Sequence, residues 1–202
     1  MKDRVLLVAT TNAGKVREIR SALKGLPLAI VGLEKTLPGI VYRERGRTFV
    51  ENARGKGRFY SRRAGVLTLA EDSGLEVRAL GGQPGVRSAR FAGPRASDEA
   101  NNRKLLKLLS ATPRTKRQAR FVCTMVLARD GHVIKEIRGE ARGTIAPAPR
   151  GKGGFGYDPL FYAPRLRKTF AELGPAVKNK FSHRGRALRK LAAFLRRETG
   201  RA

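Results

Sequence analysis

Val5-Leu6-Leu7-Val8-Ala9-Thr10-Thr11-Asn12-Ala13-Gly14-Lys15-Val16 is the stretch whose reading decides the fold class. Residues 5–9 are a continuous apolar run, the pattern of a strand covered on both faces rather than one. Residues 10–14 then form a small polar turn. Over residues 15–26, Val16, Ile19, Leu23 and Leu26 recur on one helical face. A doubly buried strand that feeds an amphipathic helix is the opening unit of an α/β domain. Residues 28–31 read as a second short strand.

The same logic extends outward. Thr48-Phe49-Val50-Glu51 has the form of a capping box, so a helix is expected from about 49 to Gly65, with Gly55 and Gly57 as weak points or sites of close backbone approach. Residues 66–70 and 75–80 read as two strands, and 81–85 as a loop. Ser97 or Asp98 caps a helix to about 110 that buries Leu105, Leu106, Leu108 and Leu109. Residues 119–128 and 132–138 are strands around Arg129-Asp130-Gly131, a hairpin signal. A Gly/Pro-rich loop follows over 143–159. Ser182 opens a last helix to about 197, striped by Leu188, Leu191, Phe194 and Leu195. The hairpin rules out a purely parallel sheet, so the sheet is mixed. There is no internal repeat or linker, and residues 1–202 read as one domain.

Composition limits the function classes. Hydrophobic residues make up 41% of 202, enough for a sizeable core. No stretch approaches the roughly 18 apolar residues of a membrane span. Met1-Lys2-Asp3-Arg4 leads into an apolar run too short for a secretory signal, which points to the cytoplasm. The single cysteine, Cys123, excludes an internal disulfide and a cysteine metal cluster, and its apolar neighbours mark it as a buried thiol. Forty-four Lys and Arg against sixteen Asp and Glu give +28. That charge favours non-specific nucleic-acid contact at low salt but is spread along the chain. With so few acids, each carboxylate inside a motif carries more information.

Three segments carry chemistry. Thr10-Thr11-Asn12-Ala13-Gly14-Lys15 offers hydroxyls, an amide, an ammonium and free N–H groups at a helix start, a phosphate cradle outside the P-loop pattern. An ordinary N-cap with a solvated lysine reads equally well there. Ala70-Glu71-Asp72-Ser73-Gly74 places two acids at a strand end before a turn. Asp72 is the preferred metal or water ligand, and Glu44 could complete a Mg²⁺ site of one or two carboxylates plus phosphates and waters. Glu51 is explained by its cap. Two solvated acids are the plain alternative. In Gly151-Lys152-Gly153-Gly154-Phe155-Gly156-Tyr157-Asp158-Pro159, glycines leave the Phe155 face open to a flat ring, and base–aromatic stacking is worth roughly 1–3 kcal/mol. Asp158 could accept from a base N–H. Anchoring of Phe155 and Tyr157 in the core is the alternative. Lys178 and Ser182-His183-Arg184 head the last helix. His132, beside the hairpin, cannot pair with His183, so a histidine zinc site is excluded. No Ser/His/Asp set is visible.

Taken together, the ordered blocks 10–15, Thr48-Phe49-Val50-Glu51-Asn52-Ala53, Glu71-Asp72-Ser73-Gly74-Leu75, Gly82-Gln83-Pro84-Gly85-Val86, Ser88-Ala89-Arg90, 153–159 and Ser182-His183-Arg184-Gly185 resemble the inosine triphosphate pyrophosphatase family. The resemblance runs from about residue 5 to 195. It implies an elongated mixed β-sheet flanked by helices, two lobes with a central cleft, and a homodimer. It implies hydrolysis of deaminated purine nucleoside triphosphates (ITP, dITP, XTP, dXTP) to monophosphate and pyrophosphate. Thr10, Thr11, Asn12, Ala13, Gly14 and Lys15 would hold the triphosphate, with Lys56 as a further phosphate lysine. Glu44 and Asp72 would bind Mg²⁺, with Asp72 also the proton acceptor for the attacking water and Glu71 a third metal candidate. Glu71 stands where many members carry a second Asp. Ser73 would touch substrate. Phe155, Gly156, Tyr157, Asp158, Lys178, His183 and Arg184 would hold base and phosphates, and donors such as Arg184 would favour a 6-carbonyl over the 6-amino group of ATP. Two rivals remain: a basic nucleic-acid-binding protein, against which stands the absence of a recognised module, and a related pyrophosphatase for modified pyrimidines.

Overall fold

The computed structural model describes residues 4–199, so the lead-in Met1-Lys2-Asp3 lies outside the described residues. A seven-stranded sheet has the order β2-β1-β3-β4-β5-β6-β7. Its strands are β1 (Val5–Val8), β2 (Ala29–Gly32), β3 (Leu67–Val77), β4 (Gln118–Arg129), β5 (His132–Ile145), β6 (Phe161–Ala163) and β7 (Lys168–Thr169). The helices are α1 (Ala13–Ala22), α2 (Leu33–Thr36), α3 (Phe49–Ala64), α4 (Asp98–Leu108), α5 (Pro175–Phe181) and α6 (His183–Thr199). β1 lies parallel to β2 and β3, while β5, β6 and β7 pair antiparallel in turn. The sheet is therefore mixed, as the hairpin required. That hairpin turns on Asp130 and Gly131, with φ of 51° and 82°, the left-handed pair that a two-residue turn between twisted strands demands.

Chain contacts divide the protein into two compact units. One comprises residues up to Asp72, Cys123–Gly139 and those from Arg184 on; the other comprises Ser73–Val122 and Glu140–His183. In the first unit, side chains alternate across the strands as the pleat dictates. Leu6, Val8, Leu67, Leu69, Met125 and Leu127 pack with Ile19 of α1, with Leu23 at its C-cap, and with Leu188, Leu191 and Leu195 of α6. Leu7, Ala9 and Ala70 face the other way, with Leu33 of α2 and Tyr60 of α3. Gly57 explains how closely α3 approaches the sheet: a Cβ there would lie 3.1 Å from Val126 Cγ1 and 3.4 Å from Ala128 Cβ. In the second unit, Leu75, Val77, Phe121, Ile145, Phe161 and Phe170 enclose Leu105 of α4 and Leu109 at its C-cap.

Four expectations need correction. Residues 66–80 hold one strand, β3, which runs through Glu71-Asp72-Ser73-Gly74 without a turn; residues 78–80 are a 3₁₀ turn. Pairing with β1 and β4 overrides the low strand propensity of Asp, Ser and Gly. β5 extends seven residues past 138 into the expected loop, to Ile145. Leu108 is exposed, because α4 turns only Leu105 and Leu109 fully inward. α1 starts at Ala13 and stops at Ala22, shorter than its apolar spacing allowed.

Candidate active site

Because β3 continues, Glu71 and Asp72 point to opposite faces of the sheet. Their surroundings differ accordingly.

Glu71 faces α1 and α6. Its Oε2 accepts from Arg184 Nε at 2.9 Å, and its Oε1 accepts from Lys15 Nζ at 2.8 Å and Arg184 Nη2 at 3.2 Å. Arg184 Nη1 reaches Glu18 at 2.8 Å. The Cys123 thiol, 3.5 Å from Glu71 Oε2, completes the cluster. Burial pushes the Glu71 carboxyl up, but the charges of Arg184 and Lys15 outweigh it and hold the group well below the usual carboxylate range. Burial and the Glu71 charge push the Cys123 thiol well above its ordinary value. Both oxygens of Glu71, the third metal candidate, are thus engaged by cations. Arg184 is 2% exposed, with its guanidinium turned onto two carboxylates. It is a buried ion-pair partner of Glu71 and Glu18.

Asp72 faces α3. Its Oδ2 accepts from Asn52 Nδ2 at 2.9 Å. Burial, followed by the negative charge of Glu44, pushes its carboxyl up to about 6; Asn52, Lys56 and Lys15 pull the other way. Glu44 belongs to the segment between α2 and α3, and its carboxylate pairs with Lys56 of α3. Lys56 Nζ also donates to the main-chain oxygen of Glu71 at 3.0 Å. Glu44 and Asp72 are hard oxygen donors whose charges already repel each other, which is the donor set Mg²⁺ takes when phosphates and waters fill its remaining positions. Among the described residues no group of three or more His, Cys, Asp and Glu side chains is placed to hold a metal.

The turn before α1 is partly spent on its own helix. Asn12 is the N-cap: its Oδ1 accepts from the Lys15 N–H at 3.0 Å, and its own N–H donates to Thr10 Oγ1 at 3.2 Å. Thr11, Asn12 and Ala13 are exposed, with Thr10 and Gly14 half-buried beside them. Thr10 to Lys15, Glu44, Lys56, Glu71, Asp72 and Arg184 all belong to the first unit.

The remaining candidates belong to the second unit. Phe155 N–H donates to Asp158 Oδ2 at 2.9 Å, and Lys178 Nζ pairs with the same oxygen at 2.6 Å while standing 4.6 Å from the Phe155 ring centroid. Gly154, at φ +77°, leaves space that the Asp158 carboxylate fills. α4 grips the loop from both sides of Gly156: Asp98 Oδ2 accepts from its N–H at 2.6 Å, and Asn102 Nδ2 donates to its oxygen at 3.0 Å. Tyr157 is buried, and its hydroxyl donates to the Ser88 oxygen at 2.9 Å, so it anchors the loop in the core. Burial and then the Asp98 charge push that phenol up. His183 is buried with its ring stacked on Phe121, centroids 4.6 Å apart. Ser73 is half-buried on β3.

Sequence reasoning passed over Asn52, Glu18, Asp98 and Asn102. Asn52 had a signal: it lies one turn before Lys56 on the face of α3 that meets Asp72. Asp98 and Asn102 share a face of α4 by the same i, i+4 spacing. Glu18 carried no local signal, since its partner is 166 residues away.

A model of the Ham1 family matches residues 6–194. A Geobacter sulfurreducens protein named dITP/XTP pyrophosphatase is 49% identical over 190 residues, covering 94% of this chain and 96% of its own. A Thermus thermophilus protein of the same name is 48% identical, covering 92% of this chain and 89% of its own. The solved structure of the Staphylococcus aureus Ham1 protein superposes with a TM-score of 0.87 at 40% identity, covering 96% of this chain and 99% of its own.

Proposed function

The chain belongs to the Ham1 family, and from that premise we propose that it is a nucleoside triphosphate pyrophosphatase that hydrolyses ITP, dITP, XTP and dXTP to the monophosphate and pyrophosphate. One observation carries the reading: Asp72 is a buried carboxylate pushed up to about 6 by burial and by Glu44. A general base works best when it titrates near the operating pH. In a relative named for pyrophosphate release from dITP and XTP, such a group is suited to take the proton of the attacking water.

Glu44 and Asp72 would hold Mg²⁺, which supplies charge neutralisation at the phosphate oxygens when bound. Lys15 and Lys56 bind and orient the triphosphate, helped by the exposed turn at Thr10, Thr11, Asn12, Ala13 and Gly14. Glu71 and Arg184 act one step back, holding Lys15 from inside. Water attacks the α-phosphorus, Asp72 accepts its proton, and pyrophosphate leaves. Phe155 offers its face to the purine, with Ser73, Gly156, Asp158, Lys178 and His183 as further substrate contacts. Recognition of the 6-carbonyl then falls to main-chain N–H groups near His183, since the Arg184 guanidinium is engaged by Glu71 and Glu18. We also assign the protein to the cytoplasm, where this substrate pool lies, and to a homodimer. Among the described residues no helix is long and apolar enough to cross a membrane. The +28 charge supports salt-sensitive, non-specific contact with nucleic acid beside the hydrolysis, read by titration at rising salt.

The test is pyrophosphate release, with Mg²⁺, from ITP, XTP, GTP, ATP and a modified pyrimidine triphosphate. ITP and XTP are expected to lead. Asp72→Asn is expected to lower kcat on ITP by about 10²- to 10⁴-fold, the usual contribution of a general base. Equal turnover of all five nucleotides removes the specificity assignment, and a fully active Asp72→Asn removes the mechanism.

A further inference from the structure

We propose that Asn52 is a positioning residue for the metal-binding pair, locking the Glu44 segment to Asp72 through the two ends of one buried carboxamide. The proposal rests on the reading of Glu44 and Asp72 given above. Asn52 is 0% exposed and lies in the second turn of α3. Its Oδ1 accepts from the Gly46 N–H at 2.8 Å, two residues past Glu44. Its Nδ2 donates to Asp72 Oδ2 at 2.9 Å. Gly46 N–H only donates and an ionised Asp72 only accepts, so one orientation of the carboxamide satisfies both. An aspartate in its place would present an oxygen to Asp72 and repel it.

The surrounding contacts make the link specific. Lys56, one helical turn further on the same face of α3, pairs with the Glu44 side chain. Tyr60, another turn on, donates its hydroxyl to the Ile40 oxygen and accepts from the Tyr42 N–H, both at 3.0 Å. Arg47 N–H donates to Glu51 Oε2 at 2.7 Å. The segment is therefore tethered along its length, and the Asn52 tether continues by a hydrogen bond to Asp72. Gly46 is fitted to it: a Cβ there would lie 2.6 Å from Asn52 Oδ1 and 2.8 Å from Glu51 Cβ. Groups that orient metal-binding carboxylates are commonly worth roughly 10- to 100-fold in metal affinity or activity.

Three variants test the link: Asn52→Ala removes both hydrogen bonds, Asn52→Asp reverses the end facing Asp72, and Gly46→Ala crowds the carboxamide while removing no polar group. Each is titrated with Mn²⁺ by calorimetry in the absence of nucleotide, and its kcat and KM for ITP are measured. The expected result is Mn²⁺ binding weakened by about tenfold or more, kcat reduced by about 10- to 100-fold and KM changed by less than about threefold. Should Asn52→Ala fail to give a cooperative melt, Gly46→Ala alone carries the same expectation. Parent-like Mn²⁺ affinity and kcat in folded Asn52→Ala, or in Gly46→Ala where Asn52→Ala does not fold, overturn the proposal. Asp72→Asn and Glu44→Gln separate the two levels. If they too bind Mn²⁺ as the parent does, the metal assignment itself fails; if they lose Mn²⁺ while the Asn52 and Gly46 variants keep it, only the link fails.

Discussion

The two faces of β3 hold carboxylates one residue apart and treat them in opposite ways. On the α1 and α6 face, Glu71 meets two cations in direct contact and is held ionised far below its ordinary range. On the α3 face, Asp72 meets a neutral amide and a second carboxylate, and its proton is held up to about 6. Both groups are buried, so burial does not separate them. The sign and nearness of their partners do. Glu71 is neutralised before any ligand arrives. Asp72 sits beside a second negative charge that, with burial, raises its carboxyl against the pull of Asn52, Lys56 and Lys15.

The largest way to break this contrast is Glu71→Gln. It keeps the shape but takes a carboxylate from the buried Arg184 guanidinium and the counter-charge from Lys15. Removing one partner of a buried pair costs about 3–5 kcal/mol, and chemical denaturation at pH 7 is expected to show a loss of that size. Glu71 has a depressed folded value, so its stabilisation is present above the ordinary 4.5 and fades as pH falls below it. The gap between parent and variant should therefore close in acid.

Asp72→Asn sharpens the comparison from the other side. The Asp72 value rises from the ordinary 3.8 to about 6, and at roughly 1.4 kcal/mol per pH unit its ionised form costs the fold about 3 kcal/mol. In metal-free buffer at pH 8 the variant is expected to be more stable by about that amount. As pH falls through 6 the folded parent takes up the proton, and the advantage should be gone below about 4. The two variants thus respond to acid with opposite starting signs. A metal-free Asp72→Asn less stable than the parent at pH 8 would show that Asp72 is a structural ion pair like its neighbour.

The smallest effect concerns Cys123. Buried beside Glu71, with its thiol pushed well up, it is expected to resist a thiol reagent at pH 8 in the native protein and to react fully once unfolded. Rapid native labelling would mean that the Glu71 cluster opens readily, contrary to its place in the core.

Much of the fold was legible locally. Thr48 does accept from the Glu51 N–H at 3.2 Å, and α3 ends on Gly65 in the left-handed conformation its sequence suggested. Gly55 and Gly57 do mark close approach, to Tyr42 and to Val126. What escaped was non-local. β7 at the sheet edge and its neighbour β6 are strands of two and three residues, too short to carry an alternating pattern. The turn expected at Asp72-Ser73-Gly74 gave way to strand pairing that residues 66–80 do not themselves encode. Within the site, Lys15, Lys56, Glu44 and Asp72 were picked out singly, but Tyr157 and Arg184 went to the interior. An aromatic or an arginine beside a polar motif reads alike whether it faces ligand or core.

The amino-acid sequence alone determined the α/β class, the starts of α3, α4 and α6, the hairpin and the roster of charged residues, because these follow from periodicity, capping and turn chemistry within a few positions of each residue. Only the tertiary structure decided which carboxylate took two cations in direct contact and which took an amide and the raising charge of a second carboxylate. The Glu71 partner Arg184 lies 113 residues away, while the Asp72 partner Asn52 lies 20 away. Electrostatic fate depends on distance through space, and folding alone sets that distance.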